Sequence, residues 1–317
     1  MFTNLILKNN RKNIFPFYHT VSNHVLPHIG KLYNVRNEKE FNKDLEVFCK
    51  WFQPVSLDCI INSPVTTKRP SFHLTFDDGL RECSEIVQPI LLEKGIPATF
   101  FINNDFIDNK NLFYRFTASL IIEKAKTEDI LKVLSEINVS NDKPHNFIFN
   151  CKHSDADLLY EIASRLGIDI EKYLSVKRPY MSTDEIAGII KNGFTIGSHS
   201  CSHIDFSFSR KEEILAGVKN SIADINQRFG ISVKAFSFPF TNHTIPVSVF
   251  NSLKNEIPEC RYYFGTSGVK DDIDSVYQRI PMEKYTSDAK NIIAGELRNY
   301  RLKKMLGRHF VKRKCNY

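Results

Sequence analysis

Two carboxylates stand side by side in His73-Leu74-Thr75-Phe76-Asp77-Asp78-Gly79, directly after a short apolar run. That run reads as a strand, and in a regular strand neighbouring side chains face opposite sides. Asp77 and Asp78 can therefore serve one site only where the strand is ending, and Gly79 makes such a turn accessible. The C-terminal ends of strands are where barrel and open-sheet enzymes gather their chemistry. A solvated Asp-Asp-Gly turn is the bland alternative. A second set lies downstream in Gly197-Ser198-His199-Ser200-Cys201-Ser202-His203, where two histidines four positions apart follow another predicted strand, Phe194 to Gly197. If this segment coils as a helical turn, the two imidazoles can converge on one ion. A pair of surface histidines is the competing reading, and the upstream aspartates weigh against it.

The elements that must hold these groups follow from the hydrophobic pattern. Short apolar runs (13–18, 71–76, 98–102) alternate with amphipathic stretches (41–52, 83–93), the pattern of successive strand–helix units around a parallel sheet or barrel. Ser182 with Glu185 and Ser209 with Glu212 have capping-box spacing, and Gly193 and Gly230 stand where C-terminal caps belong. Between residues 103 and 180 the pattern changes. A long helical stretch is expected over 116–137, then a polar patch over 141–146 and a helix over 155–166. The expectation is a single domain, 1–317, carrying a helical insertion at 103–180, with no internal repeat.

The composition bounds the setting. With 42% hydrophobic and 25% charged residues in 317, the chain is an ordinary globular protein and not a disordered one. A surplus of 43 basic over 36 acidic side chains is too small to demand a polyanion, and no nucleic-acid partner is expected. Basic residues crowd the C-terminal tail, 298–317, where Arg298, Arg301, Lys303, Lys304, Arg308, Lys312, Arg313 and Lys314 are interspersed with apolar ones. This is either a terminal helix with a solvated face or an amphipathic contact to a membrane surface. Seven cysteines without a Cys-x-x-Cys pair read as free thiols. The N-terminal apolar run is broken by Lys8, Arg11 and Lys12 before reaching signal-peptide length, so a cytoplasmic location is expected, with membrane association through the tail as the variant.

The two motifs together resemble those of the polysaccharide deacetylase family, also called the NodB-homology or carbohydrate esterase 4 family. Thr75-Phe76-Asp77-Asp78-Gly79 matches its first motif and His199-Ser200-Cys201-Ser202-His203 its His-Ser-x-x-His motif. Pro97-Ala98-Thr99-Phe100-Phe101 resembles the strand that follows, and Phe236-Ser237-Phe238-Pro239-Phe240 the Pro-aromatic motif. The resemblance implies a distorted (β/α)7–8 TIM-like barrel and a hydrolase that removes N-acetyl, or less readily O-acetyl, groups from a glycan or glycan precursor. It also implies that Asp78, His199 and His203 bind a divalent metal while Asp77 is the base. The chemistry agrees: one carboxylate and two imidazoles leave coordination positions open, as catalytic zinc sites do, and an adjacent carboxylate can take a proton from the attacking water. Zinc is the first expectation, and cobalt, nickel, iron or manganese suit the same donors.

The chain departs from the family pattern in three places. No Leu-x-His motif stands near the C-terminus, where the general acid is usual. Phe17-Tyr18-His19-Thr20-Val21 resembles the circularly shifted branch, with the histidine on the N-terminal strand, so His19 is assigned as acid. Its alternative is a structural histidine at the barrel rim. The arginine that in the family accompanies the Pro-aromatic motif and pairs with the catalytic aspartate is absent around Pro239, where only Lys234 is nearby. Arg279, assigned with Pro239 and Phe240 to substrate binding, could approach the site from a later strand, its competing role being a surface salt bridge. His243 is a rim candidate or a solvated loop residue. The family's groove tryptophan is missing, since the single Trp51 falls in an early helix. These departures keep a second function in view, a catalytically impaired glycan-binding or scaffolding protein. The intact set of Asp77, Asp78, His199 and His203 argues against it. An acetylated sugar, as a cytoplasmic precursor in capsule or O-antigen assembly, is the expected substrate.

Overall fold

The computed structural model describes residues 2–62, 69–284 and 286–313. Eight short strands form one sheet: β1 (Pro16–Tyr18), β2 (Leu74–Phe76), β3 (Ala98–Ile102), β4 (Thr195–Ser198), β5 (Ala235–Ser237), β6 (Tyr262–Gly265), β7 (Val276–Gln278) and β8 (Ile280–Pro281). All neighbours are parallel, in the order β8-β1-β2-β3-β4-β5-β6-β7. The two ends of that order are consecutive in the chain. Arg279 N–H still donates to Gly265 O at 3.0 Å, beside β6, whereas Ile280 N–H donates to Phe15 O at 2.9 Å, beside β1. One extended segment thus changes partner at Arg279 and nearly closes the sheet into the expected α/β barrel, the eight strands acting as seven staves.

Strand alternation divides the side chains into two environments. Tyr18, Leu74, Phe76, Phe100 and Phe236 join the helices in the outer core. A smaller inner cluster contains Phe15, Phe101, Ala235 and Phe264. Gly197 leaves room for this interior, because a Cβ there would lie 2.4 Å from the Phe101 ring. A third core belongs to residues between β3 and β4, where Phe113, Phe116, Leu120, Ile130, Leu134, Leu159 and Ile162 pack together with Leu80 from the barrel rim.

Several local expectations change in detail. The long helix over 116–137 is two helices, Tyr114–Lys124 and Thr127–Glu136, broken where Ala125 is extended (φ −101°, ψ 147°). The break lets Phe116, Leu120 and Ile121 face the same core as Ile130, Val133 and Leu134. The helix expected over 155–166 is Ala156–Arg165. Ser182 and Glu185 form their capping box, but Ser209 does not cap the next helix, Lys211–Phe229. Glu213 accepts there from Arg210 N–H, one residue later, because Ser209 closes the short turn Phe206–Phe208. Gly193 and Gly230 have the positive φ their positions require.

Part of the basic tail is internal. Arg313 is buried with Asp272, its guanidinium donating two 2.6 Å bonds to that carboxylate and another to Ile245 O at 3.1 Å. Arg301 donates to Ile6 O at 3.0 Å. For these two residues the solvent- or membrane-facing reading is overturned, since neighbouring loops and helices supply the acceptors. Leu302, Leu306 and Phe310 are exposed. Lys314, Cys315 and the rest of the tail lie outside the described residues. No described helix is long and apolar enough to cross a membrane. The described cysteines are all free thiols.

Candidate functional site

Asp77 and Asp78 leave the C-terminal end of β2 in different directions. Asp77 N–H continues the ladder by donating to Tyr18 O at 3.0 Å, and then Asp78 (φ 71°) and Gly79 (φ 68°) both turn left-handed. An added Cβ at residue 79 would also sit 3.2 Å from Ile102, so glycine meets both demands. The turn brings both carboxylates, each 2% exposed, to the same rim.

Arg279 is completely buried and holds Asp77 in a fork of two 2.7 Å hydrogen bonds. It also donates to Thr75 Oγ1 at 3.0 Å and Ser237 Oγ at 2.7 Å, beneath the faces of Phe17 and Phe101. The surface salt bridge is therefore wrong for this residue. Its assignment to substrate contact is corrected too: its side chain is fully buried behind Asp77 and Phe17 and does not itself line the cavity described below. Burial alone would push the Asp77 carboxyl up, but the Arg279 charge and the nearby His199 hold it below the ordinary carboxylate range. Lys234, by contrast, pairs with Asp58 at a half-exposed position.

The two histidines converge without a helical turn. His199 follows β4 directly, its N–H donating to Ile102 O at 2.9 Å, and Ser200 (φ 67°) and His203 (φ 57°) adopt left-handed backbone that folds the loop back. Asn103, just past β3, pins this loop by donating from its amide to the carbonyls of His199 and Ser200. His203 Nε2 lies 3.2 Å and His199 Nε2 3.5 Å from Asp78 Oδ1. His199 Nδ1 faces Ser237 O at 2.7 Å, so that nitrogen carries the hydrogen and Nε2 keeps its lone pair towards Asp78. Burial lowers His199 to about 4, leaving the imidazole neutral. Burial raises the Asp78 carboxyl and the neighbouring histidines outweigh it, so this group stays ionised.

A divalent cation fits these residues. One ligand atom from each of Asp78, His199 and His203 lies within 4.8 Å of the others. Both Asp78 oxygens are buried and accept no hydrogen bond among the described residues, an orphaning that a cation would relieve. Two imidazole nitrogens and a carboxylate are a donor set typical of catalytic zinc.

His19 ends β1 at the same rim. Its Nδ1 lies 2.7 Å from Glu283 Oε2, and Glu283, 2% exposed, also accepts from the backbone N–H groups of His19 (2.6 Å) and Thr20 (3.3 Å). Tyr33 stacks on the imidazole at 3.6 Å between centroids. Burial would lower the His19 pKa, but the hydrogen bond and charge of Glu283 raise it above the usual histidine value. A cavity of about 290 Å³ opens between these groups, lined by His19, Tyr33, Asp77, His199, His203, Phe240 and Glu283 among others. Phe240 packs edge-on against His203, 4.8 Å between centroids, whereas Pro239 is buried behind it and does not line the cavity. His243 is exposed and bonded to Thr241, and Trp51 lies in the helix Glu38–Trp51, so neither reaches the site.

Sequence reasoning missed Glu283, Asn103 and Tyr33. Glu283 and His19 are 264 positions apart, and no local pattern links them. Asn103 carried a signal of its own, a polar residue immediately after a buried strand. The assembled site puts an ionised carboxylate, a three-donor metal position and a hydrogen-bonded imidazole on one cavity, the parts needed for addition of water to a carbonyl and protonation of a leaving group.

The polysaccharide deacetylase family model matches residues 65–255. A chitooligosaccharide deacetylase of Rhizobium leguminosarum bv. phaseoli is 44% identical over 54 residues, which are 16% of this chain and 24% of that protein. The chain thus spans about a quarter of the length of the curated relative it matches. Among solved structures, the deacetylase PplD of Streptococcus pyogenes in complex with acetate superposes with a TM-score of 0.54 at 11% identity, covering 87% of this chain and 95% of that one. IcaB from Ammonifex degensii gives 0.55 at 12% identity, over 90% and 96%. At such identities the likeness carries the fold.

Proposed function

The chain belongs to the polysaccharide deacetylase family, and from that premise we propose that it hydrolyses N-acetyl groups on a glycan or glycan precursor with the help of a divalent metal. The observation that carries this reading is the meeting of Asp77, His199, His203 and His19 on a single cavity. Asp78, His199 and His203 hold the ion, zinc being the first choice for that donor set. The chemistry a cation supplies at such a position is polarisation of the acetyl carbonyl and acidification of the attacking water.

The remaining roles fall to the chain's own groups. Asp77, kept ionised by Arg279, accepts the proton of the water as it adds to the carbonyl carbon. His199 is locked by Ser237 O in the tautomer that presents Nε2. His19 donates a proton to the departing amine nitrogen, since an amide nitrogen leaves poorly without one. Glu283 supports that role by raising the imidazole's pKa, and Tyr33 fixes the plane of the ring. The need for such an acid favours an N-acetyl over an O-acetyl substrate. The placement of His19 directly after β1, which pairs in parallel with the strand that delivers Asp77, supports membership of the circularly shifted branch. The helical segment 103–180 is proposed as an insertion of this one domain.

Acetate release from a panel of acetylated sugars tests the reading, with metal analysis of the same samples. Asp77→Asn is expected to cut turnover by roughly 10²–10⁴ with metal content unchanged, and His199→Ala to lose the metal. Absence of acetate from every sugar with metal-loaded wild type would reject the deacetylase assignment; survival of activity in Asp77→Asn would reject the base.

A further inference from the structure

The carboxylates on the catalytic cavity are already committed to donors, and besides the histidines two cations line it, Arg115 and the exposed Lys284. Asp77 is held by Arg279, and Glu283 by His19 and two backbone N–H groups. Arg115, from the second position of the helix Tyr114–Lys124, also lines the cavity. It makes no ion pair and no hydrogen bond among the described residues. Its guanidinium lies 5.7 Å from the centre of the Phe240 ring, and that ring lies 4.8 Å from the imidazole of His203. A cation–π contact of this kind occupies none of the guanidinium's N–H donors, which suit a planar oxyanion. Phe240 itself is held in left-handed backbone (φ 57°), with Thr266 Oγ1 donating to its carbonyl at 2.7 Å, so the platform under Arg115 is fixed from two sides.

A neutral acetylated sugar would use none of this positive charge. We propose that Arg115 is an anion-recognition residue, and that the substrate is an acetylated sugar bearing a carboxylate or phosphate group close to the acetamide. The inference rests on the deacetylase reading for the position of the scissile bond. The cation comes from the 103–180 segment, while the chemical groups come from the barrel. Substrate class is thereby set by a part of the chain separate from the residues that perform the hydrolysis.

The test compares three probes: N-acetylglucosamine, its 1-phosphate and the corresponding 6-carboxylate (an N-acetylated uronic acid). Dissociation constants are measured by calorimetry on metal-loaded Asp77→Asn protein, with and without Arg115→Ala and Arg115→Lys, and acetate release is followed with Asp77 intact. At least one anionic probe is expected to bind about tenfold or more tighter than the neutral sugar, the range of a charge-assisted hydrogen bond. Arg115→Ala should bring that ratio close to one, and Arg115→Lys should restore part of it. Whether phosphate or carboxylate shows the larger ratio identifies the group. Equal binding of all three probes, or a ratio that survives Arg115→Ala, would overturn the proposal. The two readings fail separately: missing acetate release with an Arg115-dependent binding ratio removes the hydrolase and leaves the anion site, and release without such a ratio does the reverse.

Discussion

Replacing Arg279 by leucine isolates the interaction on which the chemistry of Asp77 depends. Arg279 is fully buried, and the substitution removes both 2.7 Å donors from a carboxylate that is itself 2% exposed. Breaking one side of a buried pair leaves an uncompensated charge, which costs about 3–5 kcal/mol. The loss of donors to Thr75 and Ser237 adds to this. In the wild type the Asp77 pKa is depressed, so the stabilisation from the pair is complete above the carboxyl's unfolded value and disappears as pH falls through its folded value. In the variant burial pushes the group up with only the neighbouring histidines left to oppose it. The difference in stability between the two proteins should therefore be widest at neutral pH and shrink as pH is lowered through the carboxylate range. Urea unfolding of chelator-treated protein at several pH values measures it, with Asp77→Asn completing a double-mutant cycle whose coupling should reach about 2–3 kcal/mol at neutral pH. The acidic limb of the activity profile should also move to higher pH, as Asp77 gains its proton more easily. A stability difference independent of pH, or a coupling near zero, would refute the argument that Arg279 acts by holding Asp77 ionised.

Other consequences are open to equally direct measurement. Glu283→Gln removes the charge that raises the His19 pKa, so the alkaline limb of kcat, where the acid is lost, should move to lower pH; an unmoved limb would take the proton off His19. Gly197→Ala puts a Cβ 2.4 Å from the Phe101 ring and 3.1 Å from Ala235 O, and should cost about 1–3 kcal/mol in a urea titration, whereas an unchanged midpoint would show that the interior yields. Arg313→Ala leaves Asp272 buried and unpaired and should destabilise by about 3–5 kcal/mol, while Lys303→Ala, at an exposed position in the same tail, should stay within about 0.5 kcal/mol. Equal effects of these two tail substitutions would contradict the internal role of Arg313.

Much of this site can be read along the chain, and the boundary of what can is physical. Asp77, Asp78 and Gly79 are adjacent, so their turn is a property of three residues and a strand end; the same holds for His199 and His203 after β4. The family resemblance and the barrel follow from such local pieces in their order. The helical break at Ala125 and the shift from Ser209 to Arg210 as cap are also local in sequence, yet packing decided them, because competing starts and stops differ by little until a core selects one. The sequence offered Arg279 only as a candidate for the site and Glu283 not at all; that the one pairs with Asp77 and the other with His19 was decided by the tertiary structure. The last extended segment changes partners at residue 279 and ends next to β1, joining positions more than 200 residues apart. Local spacing encodes backbone shape, whereas these partners are chosen by which strand completes the ring, and a buried charge at that point is tolerable only because the opposite charge arrives with it.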